Sequence, residues 1–239
     1  MGTPGGTNQS VVVTGGSAEL FQTRTLAPAS VTGGAMTIEN STVVGGAQCS
    51  GTGTHLTLTS NTINDAVSAS QGCTALVARN KFVDVRTASG FDGASSVVEN
   101  NLFLANNSFD DGIEITDATA RFNTFVNTSG VDSGATPLFC NGAAVATSNI
   151  IAWHSSMIPC ASKYTLYDEI AGSRPGTGNK TGTVSTFFKD LAAGDFHLAA
   201  GSPAIGGAES GLPTTIDLDG NPRPNPMGSN ADIGAYEAP

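Results

Sequence analysis

Two carboxylate clusters lie 19 residues apart in this chain. They are Phe91-Asp92-Gly93 and Phe109-Asp110-Asp111-Gly112-Ile-Glu-Ile. Carboxylates held close to one another repel, so one of them takes up a proton more readily. Such a pair can act as general acid and general base in cleaving a glycosidic bond. Asp132 would extend the series. Arg79, Lys81, Arg86 and Arg121 lie on or beside the same repeats, and Arg121 is the natural clamp for a substrate carboxylate. Glu99, Glu114, Trp153 and His154 complete the candidate substrate contacts, with Trp153 as a surface on which a sugar could stack. The competing reading is plainer. Exposed ion pairs are worth little and need no function, and an isolated His is often simply packed or solvated.

For Asp92 and Asp111 to meet, the chain must return to one place about every 20 residues. A repeat of that length is present. Centres fall at Ser41, Asn61, Asn80, Asn101, Asn123 and Asn149. Three positions before them sit Ile38, Leu58, Val77, Val98, Ala120 and Ala146; two positions after sit Val43, Ile63, Phe82, Phe103, Phe125 and Ile151. Five of the six centres are Asn, although Asn fills only 17 of 239 positions. A fixed internal pattern at this period means stacked structural units. The pieces alternate as strands do, with Met36 and Ile38 inward and Thr37 and Glu39 outward. Stacked coils bring equivalent residues to about 4.8 Å, where one Asn amide can donate to the next Asn carbonyl. The chain therefore reads as all-β. From about residue 30 to 160 it resembles the right-handed parallel β-helix superfamily, whose interior carries such asparagine ladders. The expected organisation is a lead-in over 1–30, repeats over 31–160, a connecting coil over 161–186 and a capping module over 187–239.

Composition narrows the function classes. Only 13% of residues are charged and 30 are Gly, which suits a solenoid with frequent turns. The net charge is −10, with 10 Lys plus Arg thinly spread, so nucleic acid is a poor partner. No apolar run is long enough for a membrane-spanning helix. The four Cys form two pairs about one coil apart, Cys49 with Cys73 and Cys140 with Cys160. Two coil-to-coil disulfides would place the protein outside the cytoplasm, at the cell surface or beyond. The first residues lack the basic start and apolar core of a signal peptide. A monomer is expected. Rows of outward Thr, as on ice-binding β-helices, are broken by Glu39, Leu76, Glu99 and Arg121.

From Phe187 the sequence changes character. It contains Gly194-Asp-Phe-His-Leu198, Ser202-Pro-Ala-Ile205, Asp217-Leu-Asp-Gly-Asn-Pro-Arg223 and Asp232-Ile-Gly-Ala-Tyr-Glu237. In this order the motifs resemble the ending of choice-of-anchor Q domain proteins, which are bacterial surface proteins built on β-helices. Gly206 stands where that family usually has Asp. The resemblance implies that His197 is structural. Physically, the segment could close an open solenoid end, held by Arg–carboxylate hydrogen bonds. Asp217, Asp219 and Asn221 also have the spacing of the first half of a calcium loop, which makes Ca²⁺ the one cofactor considered.

Two further resemblances bear on activity. The Asp110-Asp111-Gly-Ile-Glu-Ile run is similar to the paired-aspartate segment of β-helix polygalacturonases. Those enzymes place Gly-His-Gly one coil later, where this chain has Gly130-Val-Asp-Ser-Gly134. Pectate lyases of the same fold use calcium and an Arg or Lys base. The expectation is a non-catalytic surface module for adhesion, display or glycan contact. The alternative is a lyase or hydrolase acting on a polysaccharide, of uronate type among others, through Asp92, Asp110, Asp111 and Arg121.

Overall fold

The computed structural model describes residues 10–85, 89–106, 112–129, 136–153, 160–169 and 174–239. The chain winds through three parallel sheets that form the walls of a solenoid of about seven coils. The first sheet has seven strands, from Val11–Val13 to Leu138–Asn141. The second has eight, from Ser17–Phe21 to Ser162–Lys163. The third has nine, from Arg24–Thr25 to Lys180–Gly182. This is an all-β architecture consistent with the right-handed parallel β-helix.

The repeat pattern maps directly onto strand register. Ile38 pairs with Leu58, Leu58 with Val77, Val77 with Val98, Val98 with Ala120 and Ala120 with Ala146. On the third sheet, Val43, Ile63, Phe82, Phe103, Phe125, Ile151 and Tyr167 form a second continuous column. Phe82, Phe103 and Phe125 stack with centroids 4.4 and 4.7 Å apart, close to the spacing of the strands that carry them. Both columns are buried and form the interior core.

The asparagine ladder sits at the bend between the second and third sheets. Each Asn Oδ1 accepts the backbone N–H of the rung before it. These distances are 2.9 Å for Asn61, 2.9 Å for Asn80, 2.8 Å for Asn101, 3.0 Å for Asn123 and 2.9 Å for Asn149. The side-chain Nδ2 donates back to a carbonyl on the preceding coil, as in Asn101 to Val77 at 2.8 Å. The residue ahead of each rung is left-handed: Gln22, Asn40, Ser60, Arg79, Asn100, Phe122, Ser148 and Tyr164 all have φ between 49° and 57°. That conformation is unfavourable for Phe and Tyr. The ladder holds it by satisfying the buried amides on either side of the bend.

The ladder runs further than the sequence spacing suggests. Thr165 is the rung after Asn149, and its N–H donates to Asn179 Oδ1 at 3.0 Å. Residues 161–186, expected as a connecting coil, thus carry three more strands of the solenoid.

The segment expected to cap the end instead covers a flank. A hairpin, Phe188–Asp190 with Asp195–Leu198, leads into an irregular chain whose one strand-like pairing is the isolated bridge between Ile216 and Pro222. Ala204, Ile233, Ala235 and Tyr236 pack with Leu102, Phe122, Val126, Ile150 and Leu166 to form a second apolar core outside the third sheet. The cause is visible along one register column of that sheet. Its outward residues run Thr42, Thr62, Lys81, then Leu102, Thr124, Ile150 and Leu166. From Leu102 to Leu166 this outward column is buried as well as the inward one, and these strands need cover on both sides.

Both expected disulfides form, Cys49–Cys73 and Cys140–Cys160, with Cα atoms 5.9 and 4.8 Å apart. The partners join neighbouring coils but not one column: Cys49 is in register with Ala69, while Cys73 precedes the next strand of the second sheet.

Candidate functional site

Of the first candidate set, Asp92 and Arg121 lie within the described residues. Asp92 ends the strand Ser89–Asp92, and its partner on the next coil is Thr116. The register step at Asp92 is thus 24 residues, whereas 19 separate Asp92 from Asp111 in sequence. Asp110, Asp111, Asp132 and His154 lie outside the described residues, as does Arg86.

Arg121 is in register with Glu99 on the second sheet. Its Nη2 lies 2.6 Å from Glu99 Oε2 and its Nε donates to the same oxygen at 2.7 Å. Thr214 of the C-terminal segment donates to that oxygen at 2.7 Å and accepts from Arg121 Nε at 3.0 Å. The two charged side chains retain only 16% and 17% exposure. Arg121 is thus a pin between solenoid and flank cover rather than an open substrate clamp, and Glu99 is its counter-ion. Glu114 lies on a different wall, the first sheet, where it accepts from Asn141 Nδ2 at 2.7 Å. Trp153, expected to offer a stacking face, is 1% exposed and borders a small void with Phe82, Val85 and Phe103. It fills the core because its large ring closes a gap beside the Phe column.

The C-terminal motifs build the flank cover itself. Arg223 and Glu237 form an ion pair at 2.9 Å with both side chains fully buried. Arg223 also donates to the carbonyls of Asp232 at 2.7 Å and Gly234 at 2.9 Å, and lies 4.2 Å from the centre of the Phe122 ring. Burial pushes the Arg223 pKa down and the Glu237 pKa up, and each partner's charge opposes the other's shift. Asp217 accepts four hydrogen bonds, from the N–H groups of Asp219, Asn221 and Glu237 and from Asn221 Nδ2, at 2.7–3.1 Å. Its lone pairs are taken by donors, so the Asp217 loop does not fit Ca²⁺. Among the described residues no three His, Cys, Asp or Glu converge as metal ligands. Gly206, where Asp was the expected residue, has φ 61° and donates its N–H to Asp232 Oδ1 at 2.7 Å.

His197 bridges two carboxylates. Its Nδ1 is 2.5 Å from Asp195 Oδ1 and its Nε2 is 2.7 Å from Asp219 Oδ2, with the Tyr236 ring 4.6 Å away. Burial disfavours the charged ring, but the hydrogen bonds to Asp195 and Asp219 outweigh it and raise the pKa above that of an ordinary His. The same contact holds the Asp195 carboxyl below the usual range. This is a latch joining the hairpin to the Asp217 loop.

The structure adds a feature that the sequence did not single out. A cleft of about 1050 Å³ opens between the outer face of the third sheet and the hairpin. Asn127, Ala152 and Asp168 come from the sheet; Phe188, Asp190 and Phe196 come from the hairpin. Glu169 and Thr183 close one side, where Thr183 Oγ1 donates to Glu169 at 2.9 Å. The only sequence signal was Asp168, a carboxylate at an outward position where the preceding coils carry Val126 and Ala152.

No protein-family model matches the chain, and no curated protein matches it significantly. The likeness to choice-of-anchor Q proteins accordingly rests on the C-terminal motifs alone.

Proposed function

We propose that this chain is an exported, non-catalytic β-helix module that contacts glycans at a cell surface. The observation that carries this reading is the fate of Arg121 and Glu99. The charged pair best suited to handle an acidic substrate is instead consumed in fastening the flank cover. The two disulfides suit an oxidising compartment, and no described helix is long and apolar enough to cross a membrane. The C-terminal likeness to bacterial surface proteins points the same way.

The test pairs retention with cleavage. Purified chain is incubated with insoluble cell-wall polysaccharides and with soluble uronate polymers, with and without calcium. The expected result is retention on the insoluble material with neither new reducing ends nor unsaturated products. Cleavage that disappears in Asp111→Ala, and equally in Asp92→Ala, would establish the lyase or hydrolase alternative and overturn this reading.

A further inference from the structure

We infer that the cleft beneath the hairpin is a binding site for an oligosaccharide without carboxylates, and that it favours amino sugars with free amines. This names the ligand class of the proposed glycan contact and rests on that reading. The cleft's volume of about 1050 Å³ is at the upper end of small-molecule sites, which suits several sugar rings rather than one.

Its chemistry selects among glycans. Among the described residues that line it, Glu169 and Asp190 are exposed carboxylates, against one amine, Lys189; Asp168 also borders the cleft but is 4% exposed and already has a partner within the protein. The Lys189 ammonium is largely exposed and lies 3.9 Å from Asp195, which faces a different hollow, so its charge is already shared. Carboxylates accept strong charge-assisted hydrogen bonds from hydroxyl and ammonium groups. Hydroxyls of Thr128, Thr183 and Ser185 add neutral partners, and Ala152, Phe188 and Phe196 give the floor apolar surface for the C–H faces of sugar rings. On the Asn127 wall, the side-chain Nδ2 is buried without an acceptor while its Oδ1 accepts from Ser129. A ligand oxygen that reached this donor would supply its missing bond. A uronate polymer would bring negative charge into a site that is already negative, on a chain of net charge −10.

The experiment is calorimetric titration of the full chain with three hexasaccharides: glucosamine, glucose and galacturonic acid. The glucosamine hexamer should bind at least tenfold more tightly than the galacturonate hexamer, with the glucose hexamer between them. Glu169→Gln, nearly isosteric, should weaken the amino-sugar hexamer severalfold and the neutral one less. Ser185→Trp places a large ring at an exposed position in the cleft and should abolish binding of both, while circular dichroism shows an unchanged fold. Equal or tighter binding of galacturonate, or binding indifferent to both substitutions, overturns the inference. If no hexamer binds but the chain is retained on insoluble wall polysaccharide, the cleft assignment fails and the glycan-contact reading stands. Failure of both assays removes the reading as well.

Discussion

Removing Glu237 should be the most damaging single change in the C-terminal segment. The Arg223–Glu237 pair is 2.9 Å long and neither side chain reaches solvent. Glu237→Ala would leave the guanidinium with two carbonyls, the Phe122 ring and the more distant charges of Asp217, Asp232 and Glu99, but no directly paired carboxylate. It would also strip the acceptor from the N–H groups of Asp232 and Asn225. Breaking a buried pair from one side costs about 3–5 kcal/mol. At about 2–4 °C per kcal/mol for a chain of this size, the transition should fall by roughly 6–20 °C. The segment packs on the flank as its own apolar cluster, so the loss should appear as an early, separate step. Thermal circular dichroism combined with limited proteolysis reads this: cleavage within 187–239 should precede loss of the solenoid's β signal. The double variant Arg223→Met with Glu237→Met removes both charges, and it should recover much of the loss. A Glu237→Ala chain within 1 kcal/mol of the parent, or a double variant worse than the single, would refute this account of the cover.

Other outcomes follow from the same geometry. His197 gains two carboxylate partners on folding and its pKa rises, so its contribution is fully present below the ordinary His value, about 6.5, and is lost as pH climbs through the raised folded value. Denaturant midpoints for the cover should therefore fall as pH rises above about 6.5, and His197→Gln should flatten that slope; the groups facing the ring are Asp195, Asp219 and Tyr236, with Lys189 beyond Asp195. Asn101→Ala removes the acceptor for Asn80 N–H and Nδ2, both buried, and should cost about 2–4 kcal/mol in urea unfolding. Intact mass after alkylation without reductant should show no labelled thiol, and Cys49→Ala with Cys73→Ala should lower stability by about 2–4 kcal/mol.

The ladder was legible because one corner of the coil is built the same way every time. A left-handed residue followed by a rung at the bend between the second and third sheets fixes positions near that corner, from Ile38 to Ala146 and from Val43 to Ile151. The other corners absorb length. From Phe91 to Ile115 the step is 24 residues, whereas from Ala69 to Phe91 it is 22. Asp92 lies beyond such a corner, so the ladder's period does not carry over to it: its register partner is Thr116, 24 residues on. The same freedom hid the late rungs. The coil shortens to 16 and then 14 residues at Thr165 and Asn179, and Thr165 is not Asn. The burial of Trp153 and the coupling of Arg121 to Thr214 were beyond any local pattern, since their partners lie 50 to 93 residues away in sequence.

The flank cover was present in the sequence as a change within one column. Thr42, Thr62 and Lys81 tolerate water; Leu102, Ile150 and Leu166 do not. Burying that apolar stripe is what the C-terminal motifs accomplish, and their polar residues mostly secure the cover rather than face solvent. A neighbouring outward column runs Leu104, Val126, Ala152 and then Asp168. The apolar stripe thus ends in a carboxylate on the last full rung beneath the hairpin. A hairpin whose inner face is Phe188 and Phe196 can pack on Val126 and Ala152 but gains nothing by closing over the exposed carboxylate of Glu169. The cleft follows from that mismatch. It lies where an apolar cover meets a polar end of the sheet, and its walls therefore combine ring-sized apolar patches with carboxylates.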